Sequence, residues 1–548
     1  MVKLAVLGGV GEVGGNKVML EEDGQVIFLD FGTSYGWRGQ FYEEYMNPRS
    51  PFGLLDFLEM ELLPPLEGLY RQDMHPDPAR PDALWEQYRG RTAYYDLRPL
   101  EVRGILCSHG HLDHAGYISF LREDVPVCTT LMSALVMKAI QDATSTDIEQ
   151  EVVYAIPRER DAKSGLLKAA DYRSVPARQR PFVAFDGEVT EAVAGFWRNT
   201  PVARGLEARP LRPAQGAVRL GPFTVRCFPV DHSIPGAAGY LVEVGGLAIG
   251  YTGDLRFHGT GGATSRAFAA ALREVARRRP LVLLCEGTRA GDDTSPPVSE
   301  EDVAARALQF MRDARGLIIA DFGPRNLERL VIFHRLAREL GRQLVITAKD
   351  AYLLDAARLA DPGLPVIGQE FQVLVYRQPK ADLHKWEKAV YERYEGSLVT
   401  PEGVHRRQDE LVLCFSYFDL KDLPSIRPRP GSLYLYSSHE AFNEEVQMDF
   451  RRLRAWLDHF RMRYVGLPRE ELGWQVPEEE RGLHASGHAP ARDLLAFVQE
   501  VEPAVLVPLH TQRPLWFAQE LRDGPVRVEL PEYGVALALD ALAASASR

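Results

Sequence analysis

The stretch Cys107-Ser108-His109-Gly110-His111-Leu112-Asp113-His114-Ala115-Gly116-Tyr117 constrains this chain more than any other. Three histidines and one aspartate stand within six residues, directly after a strand-like run (Val102, Ile105, Leu106, Cys107). Imidazole and carboxylate donors suit a borderline divalent cation such as zinc. Four donors on so short a loop cannot all reach one ion, but they can divide between two neighbouring ions. Only fourteen histidines occur in 548 residues, so a chance cluster on a surface loop is a poor rival.

Length and a 45% hydrophobic content allow large cores and about two to four domains. The five cysteines (Cys107, Cys128, Cys227, Cys285, Cys414) are scattered with no CxxC pair. That pattern argues against a disulfide framework or a zinc ribbon, and for a reducing compartment. The start at Met1-Val2-Lys3-Leu4 shows no cleavable signal pattern. No apolar run approaches the roughly 18 residues that span a bilayer. A cytoplasmic protein without a membrane partner is expected. Net charge is −12, which disfavours a general nucleic-acid binder but leaves room for a local basic channel.

Gly9-x-Gly11-x-x-Gly14 has dinucleotide-binding spacing, but that motif needs a following helix. Here an Asp23-Gly24 turn follows within a few residues, as in a hairpin, so tight turns under a metal site are expected instead. Asp30 ends the next apolar strand, either as a strand-end cap or, the favoured reading, as an acceptor for a ligand histidine. Residues 34–100, rich in aromatic, proline and acidic residues, read as an inserted lid or subdomain with one helix near Leu54–Leu63. Residues 145–215 read as a second irregular insertion whose Arg158, Arg160, Lys163, Lys168, Arg173, Arg178 and Arg180 form a solvated face.

His232, in Asp231-His232-Ser233-Ile234-Pro235, and Asp254, in Tyr251-Thr252-Gly253-Asp254, fall at the C-terminal ends of successive strands. Glu286 ends another buried strand. From about residue 291 helix and strand alternate, as in a parallel α/β domain, closing with the strands Glu410–Phe415 and Ser432–Tyr436, after which helix Glu444–Phe460 leads back. A Pro- and Glu-rich linker, Pro468–Glu480, leads to His484-Ala485-Ser486-Gly487-His488, a helix, a strand and His510. Residues Ala541–Arg548 read as a disordered tail.

Together these residues resemble the β-CASP family of the metallo-β-lactamase superfamily, nearest its ribonuclease J-like members. The matches are Asp30, His109-x-His111-x-Asp113-His114, His232, Asp254, Glu286, Ser486-Gly487-His488 and His510. The resemblance implies an αββα metallo-β-lactamase sandwich from residues 1–290 and 456–548, with an α/β β-CASP domain at 291–455 inserted. It implies two zinc ions, with manganese as the alternative metal: His109, His111 and His232 would hold one, Asp113, His114 and His510 the other, and Asp254 would bridge. RNA phosphodiester hydrolysis by a two-metal-activated hydroxide would follow, as a 5′ exonuclease, an endonuclease or both. His488 would contact the phosphate or protonate the leaving oxygen, with Glu286 orienting it. Ser486 and Gly487 would cradle a phosphate, with Ser233 and His484 as further substrate contacts.

Single-stranded RNA is the expected partner. A homo-oligomer stays open, because ribonuclease J-like members carry dimer contacts in a further C-terminal domain. The segment His510-Thr511-Gln512 also departs from the family's usual His-Gly-Glu. Three other readings are a DNA-processing nuclease of the family, a small-molecule metallohydrolase sharing the loop, and a non-catalytic RNA-binding scaffold. The histidine at 510, the α/β insertion with Ser486-Gly487-His488, and the full ligand set argue against them in turn.

Overall fold

The computed structural model describes residues 1–546 except 44, 76–80, 89–99, 145–147, 172–173, 203–204, 293–297, 324, 369–371 and 439–443. Two mixed sheets face each other across an apolar core. The first runs Arg212–Ala214, Phe182–Phe185, Val127–Thr130, Glu101–Leu106, Gln25–Leu29, Val18–Glu22, Lys3–Val6, Ala536–Ala538. The second runs Ala217–Leu220, Phe223–Pro229, Ala238–Val244, Leu247–Tyr251, Leu281–Glu286, Val505–Leu509, Arg527–Val528.

Alternation in these strands sends one set of side chains between the sheets and the other outward. Leu4, Val18, Leu20, Ile27 and Leu29 meet Tyr240, Val242, Ile249, Val282 and Val507 in the central layer. The outward set of the second sheet, Leu241, Leu283 and Leu506, packs on helices Gly262–Ala276 and Ala491–Val501 through Phe268, Leu272, Leu494 and Phe497. Each such aliphatic side chain contributes roughly 1.5–3 kcal/mol by leaving water. The outward face of the first sheet is covered by helix Leu131–Asp142 and by Leu54, Phe57, Leu58, Leu62 and Tyr70. The result is an αββα sandwich, as expected.

A third sheet of seven parallel strands runs Leu398–Val399, Leu374–Tyr376, Gln343–Ile346, Leu411–Cys414, Ile318–Asp321, Leu433–Tyr436, Arg463–Val465. Its helices start where the sequence supplies reciprocal caps: Ser299 with Asp302 for Glu300–Arg312, and Thr347 with Asp350 for Ala348–Arg358. Val136 and Ala139, on the helix Leu131–Asp142 of the sandwich, belong to the core of this third layer. Tyr352 Oη donates to Asp142 Oδ2 at 2.9 Å across the same junction.

Four details depart from the sequence reading. The strand Arg463–Val465 pairs with Leu433–Tyr436, so the third sheet extends past residue 455 before the chain returns to the sandwich. The 145–215 region contributes two strands, Phe182–Phe185 and Arg212–Ala214, to the first sheet. Within it Arg180 is fully buried, donating to the carbonyls of Ser119, Leu121 and Arg122, rather than lying on a solvated face. The chain end forms helix Leu539–Ala546, with Leu539 and Ala543 in the central core, where a disordered tail was expected. Tyr94, Tyr95 and Arg173 lie outside the described residues.

Candidate active site

The strands Gln25–Leu29, Glu101–Leu106, Phe223–Pro229, Leu247–Tyr251, Leu281–Glu286 and Val505–Leu509 all end at one rim of the sandwich. Asp30, the histidine loop, His232, Asp254, Glu286 and His510 therefore meet there. The glycine turn lies beneath, followed by the hairpin Val18–Leu29 rather than a helix, so it is no dinucleotide cradle. Gly15 N donates to Asp113 O at 3.0 Å and His510 N to Gly9 O at 2.9 Å. Gly14 has φ of 85°, and a Cβ there would lie 2.8 Å from Asp113 Cβ. Glycine is required by both conformation and space.

Donor atoms gather in two groups, His109/His111/His232 and Asp113/His114/Asp254/His510, each within 4.8 Å, and a third set, His232/Asp254/His488, overlaps both. His109 Nε2 lies 3.0 Å from His111 Nδ1, which lies 3.2 Å from His232 Nε2. In the second group His114 Nε2 is 3.1 Å from Asp254 Oδ2, while Asp113 Oδ2 is 3.7 Å from both His114 Nε2 and His510 Nε2. Asp254 Oδ2 is also 3.7 Å from His109 Nε2 and from His232 Nε2, so this oxygen faces both groups.

The other ring nitrogen of four histidines is already committed. His114 Nδ1 donates to Asp30 Oδ2 at 2.7 Å, and His232 Nδ1 to Gly487 O at 2.6 Å. His510 Nδ1 donates to Asp254 Oδ1 at 2.6 Å, and His109 Nδ1 lies 3.0 Å from Ser108 Oγ. Each Nε2 is thus left facing the group centre. His114 Nε2, His510 Nε2 and Asp254 Oδ2 are buried without a hydrogen-bond partner. Buried polar atoms facing one another without partners are costly, and a metal cation between them removes the cost.

Charge points the same way. Burial, then the neighbouring imidazoles, hold His109 well below the ordinary histidine range. Burial does the same to His232, and burial with the Arg325 charge takes His111 down to about 3. These rings are neutral, as ligands must be. Burial also opposes charge on His114, but Asp254, Asp113 and Asp30 outweigh it and hold its pKa well above the ordinary range. That half of the centre attracts positive charge. The donor set, nitrogen and oxygen only, fits two borderline dications.

His488 stands beside the second group, its Nδ1 3.2 Å from both Glu286 oxygens and 3.9 Å from Asp254 Oδ2. Burial opposes its charge, yet Glu286 and Asp254 push its pKa up to about 9. Glu286 is fixed in turn by Leu255 N at 2.9 Å and Thr288 Oγ1 at 2.7 Å. Ser486 Oγ accepts from His488 N at 3.1 Å, and a Cβ on Gly487 would meet Ser233 Oγ at 2.7 Å, so these three residues sit together. His484 is placed differently: its Nε2 lies 2.7 Å from Gly466 O and its ring 5.6 Å from Tyr436, against the third sheet.

Two further residues face the cluster without having been singled out. Arg325 follows the strand Ile318–Asp321, and its charge acts on His111 and Asp113. Its position past the C-terminal end of a parallel strand is where such folds present ligand contacts, a usable signal. Tyr35, in the short helix Tyr35–Arg38 of the 34–100 region, lies close enough to Asp113 and Arg325 to feel both charges.

Comparison with known proteins gives consistent relatives. Ribonuclease J of Pyrococcus abyssi is 22% identical over 517 residues, covering 93% of this chain and 90% of its own length. Ribonuclease J of Corynebacterium glutamicum is 22% identical over 518 residues, 93% of this chain but 53% of its own length. The Mycobacterium tuberculosis protein of that name matches 66% of this chain and 49% of its own length, so the chain spans about half of these two relatives. A crystal structure of an Enterococcus faecalis protein of unknown function superposes with a TM-score of 0.63 at 18% identity, covering 98% of this chain and 99% of that one. No protein-family profile matches the chain.

Proposed function

We propose that this chain, a ribonuclease J homologue built as a metallo-β-lactamase sandwich with an inserted β-CASP domain, is a metal-dependent ribonuclease. The observation that carries the reading is the pair of donor groups meeting at Asp254 Oδ2, with His488 alongside. The sandwich comprises residues 1–290 and the returning C-terminal segment, and the inserted domain lies between them. His109, His111 and His232 would hold one zinc and Asp113, His114 and His510 the second, with Asp254 beside both groups; manganese is the alternative. When bound, the dications would lower the pKa of a water and offset charge on the phosphoryl oxygens.

The chain's own groups do the rest. Asp30 and Gly487 O fix the His114 and His232 rings, so that Nε2 of each points inward. Glu286 keeps a proton on His488, which passes it to the leaving oxygen as the phosphodiester bond breaks. Ser486, Gly487 and Ser233 line the phosphate beside His488, and Arg325 approaches from the inserted domain. The substrate is single-stranded RNA, cleaved from the 5′ end, internally, or both. The five unpaired cysteines suit a reducing cytoplasm, and among the described residues no helix is long and apolar enough to cross a membrane.

The test is an incubation of zinc-loaded protein with single-stranded RNA labelled at either end, carrying a 5′-monophosphate or a 5′-hydroxyl, beside the matching DNA. Cleavage of RNA, lost in Asp113→Ala, is expected. Mononucleotide release from the 5′ end identifies an exonuclease and internal cuts an endonuclease. Preference for DNA, or metal binding with neither polymer cut, contradicts the proposal.

A further inference from the structure

We infer that Arg256 and His258 are positioning residues that hold the Ser486-Gly487-His488 loop and couple it to the inserted domain through Glu300 and Glu328. The Arg256 side chain is fully buried. Its Nε donates to Asp231 Oδ1 at 3.2 Å, and its Nη1 to Glu300 Oε1 at 3.1 Å and Ser486 O at 3.3 Å. Its Nη2 donates to Glu328. His258 Nε2 donates to the same Ser486 O at 3.0 Å. Glu300 begins the helix Glu300–Arg312 and Glu328 lies in the helix Leu327–Glu339, both beside the third sheet. Only the fork of a guanidinium reaches acceptors on so many elements at once.

These contacts fix the direction of the loop's carbonyls. Ser486 O is bonded by Arg256 and His258, and Gly487 O by His232, so both oxygens turn away from a bound phosphate. A peptide oxygen facing that phosphate would repel it. The same clamp sets Gly487 O against His232 Nδ1, and thereby the aim of His232 Nε2. At its other end the loop is held by Ser437 Oγ, which donates to Leu483 O at 2.5 Å. Arg329, bonded to Glu300 at 2.9 and 3.1 Å, donates to Ser437 O at 2.7 Å. The position of the inserted domain is thus transmitted to the catalytic loop by a continuous hydrogen-bonded path.

The inference rests on the proposed ribonuclease reading for its kinetic arm and on metal binding alone for its second arm. Arg256→Lys and His258→Leu are prepared as full-length, zinc-reconstituted proteins; leucine keeps the bulk and cannot donate to Ser486 O. His258 is only partly buried, so His258→Leu is expected to keep the wild-type melting temperature. In that variant kcat on 5′-monophosphate RNA falls about tenfold with KM within about threefold, and in Arg256→Lys kcat falls about a hundredfold. In both, one of the two zinc ions is released to a chelator about tenfold faster, because His232 loses its anchored partner, while the other leaves at the wild-type rate. A folded His258→Leu protein with wild-type kcat and wild-type release of both ions overturns the inference. Equal acceleration of both releases also overturns it, since that is general loosening. Should Arg256→Lys fail to fold, His258→Leu decides. Should the wild type not cut RNA, the zinc-release arm still decides this inference while the ribonuclease reading fails separately.

Discussion

Replacing Asp30 by asparagine tests how the centre holds its ligands in the right tautomer. Asp30 is fully buried, and its carboxylate accepts from Ser108 N at 2.6 Å, Ser108 Oγ at 2.7 Å, Tyr251 Oη at 2.5 Å and His114 Nδ1 at 2.7 Å. Its backbone φ of 57° is one that asparagine also tolerates, so the substitution changes chemistry rather than chain path. An amide offers one accepting oxygen. If that oxygen keeps Ser108 N, the NH2 group faces His114 Nδ1, which must then accept. The His114 proton moves to Nε2 and blocks its lone pair. Loss of an outer hydrogen-bond partner of a metal-ligating histidine costs about 10- to 100-fold in affinity, or roughly 1.4–2.8 kcal/mol. Disturbing the hydrogen bonds around the buried carboxylate adds about 1.5–3 kcal/mol of lost fold stability. Zinc titration calorimetry on Asp30→Asn should show one site of wild-type affinity and one weakened by that factor, with catalysis lost in proportion to the vacant site. Two sites within about threefold of wild type would refute the tautomer argument.

Three other outcomes follow from the same geometry. Because Glu286 and Asp254 keep His488 protonated against the cost of burial, the rate should fall as pH rises through its pKa. Glu286→Gln should move that alkaline limb down by about 1 unit or more, read from kcat against pH, and an unmoved limb would show that His488 is not the group titrating. Gly14→Ala places a methyl 2.9 Å from Asp113 Oδ2 at a φ of 85°, so one of the two proposed zinc equivalents should be lost while a thermal melt still shows a folded protein; full occupancy would contradict the contact. Arg325→Ala should raise KM for RNA about tenfold with kcat within about threefold, and flatten the slope of log KM against log salt by about 0.7; unchanged KM would remove Arg325 from the RNA path.

The histidine loop was legible because its candidate metal donors are neighbours in sequence, and a short loop after a strand has few places to go. His232, Asp254 and His510 were legible only as strand ends, and their convergence depended on strand directions that residue periodicity does not carry. The Arg256 clamp left no local signal, because its acceptors lie on Asp231, Glu300, Glu328 and Ser486, far apart in the chain. Counting basic residues misread Arg180, whose neighbours give it backbone carbonyls in place of water. Polarity misread the chain end too: its small residues suit a tail, but Leu539 and Ala543 fall on one helical face and dock in the core. His484 shares a short segment with His488, yet it faces Gly466 O because the chain crosses from one layer to the other between them.

The most direct test of the two-ion ribonuclease is a stepwise return of zinc to chelator-treated protein, with cleavage of single-stranded RNA read after each addition. Saturation at two zinc ions per chain is expected, with cleavage appearing as the second is filled. Saturation at a single ion, or two bound ions with intact RNA, would contradict it.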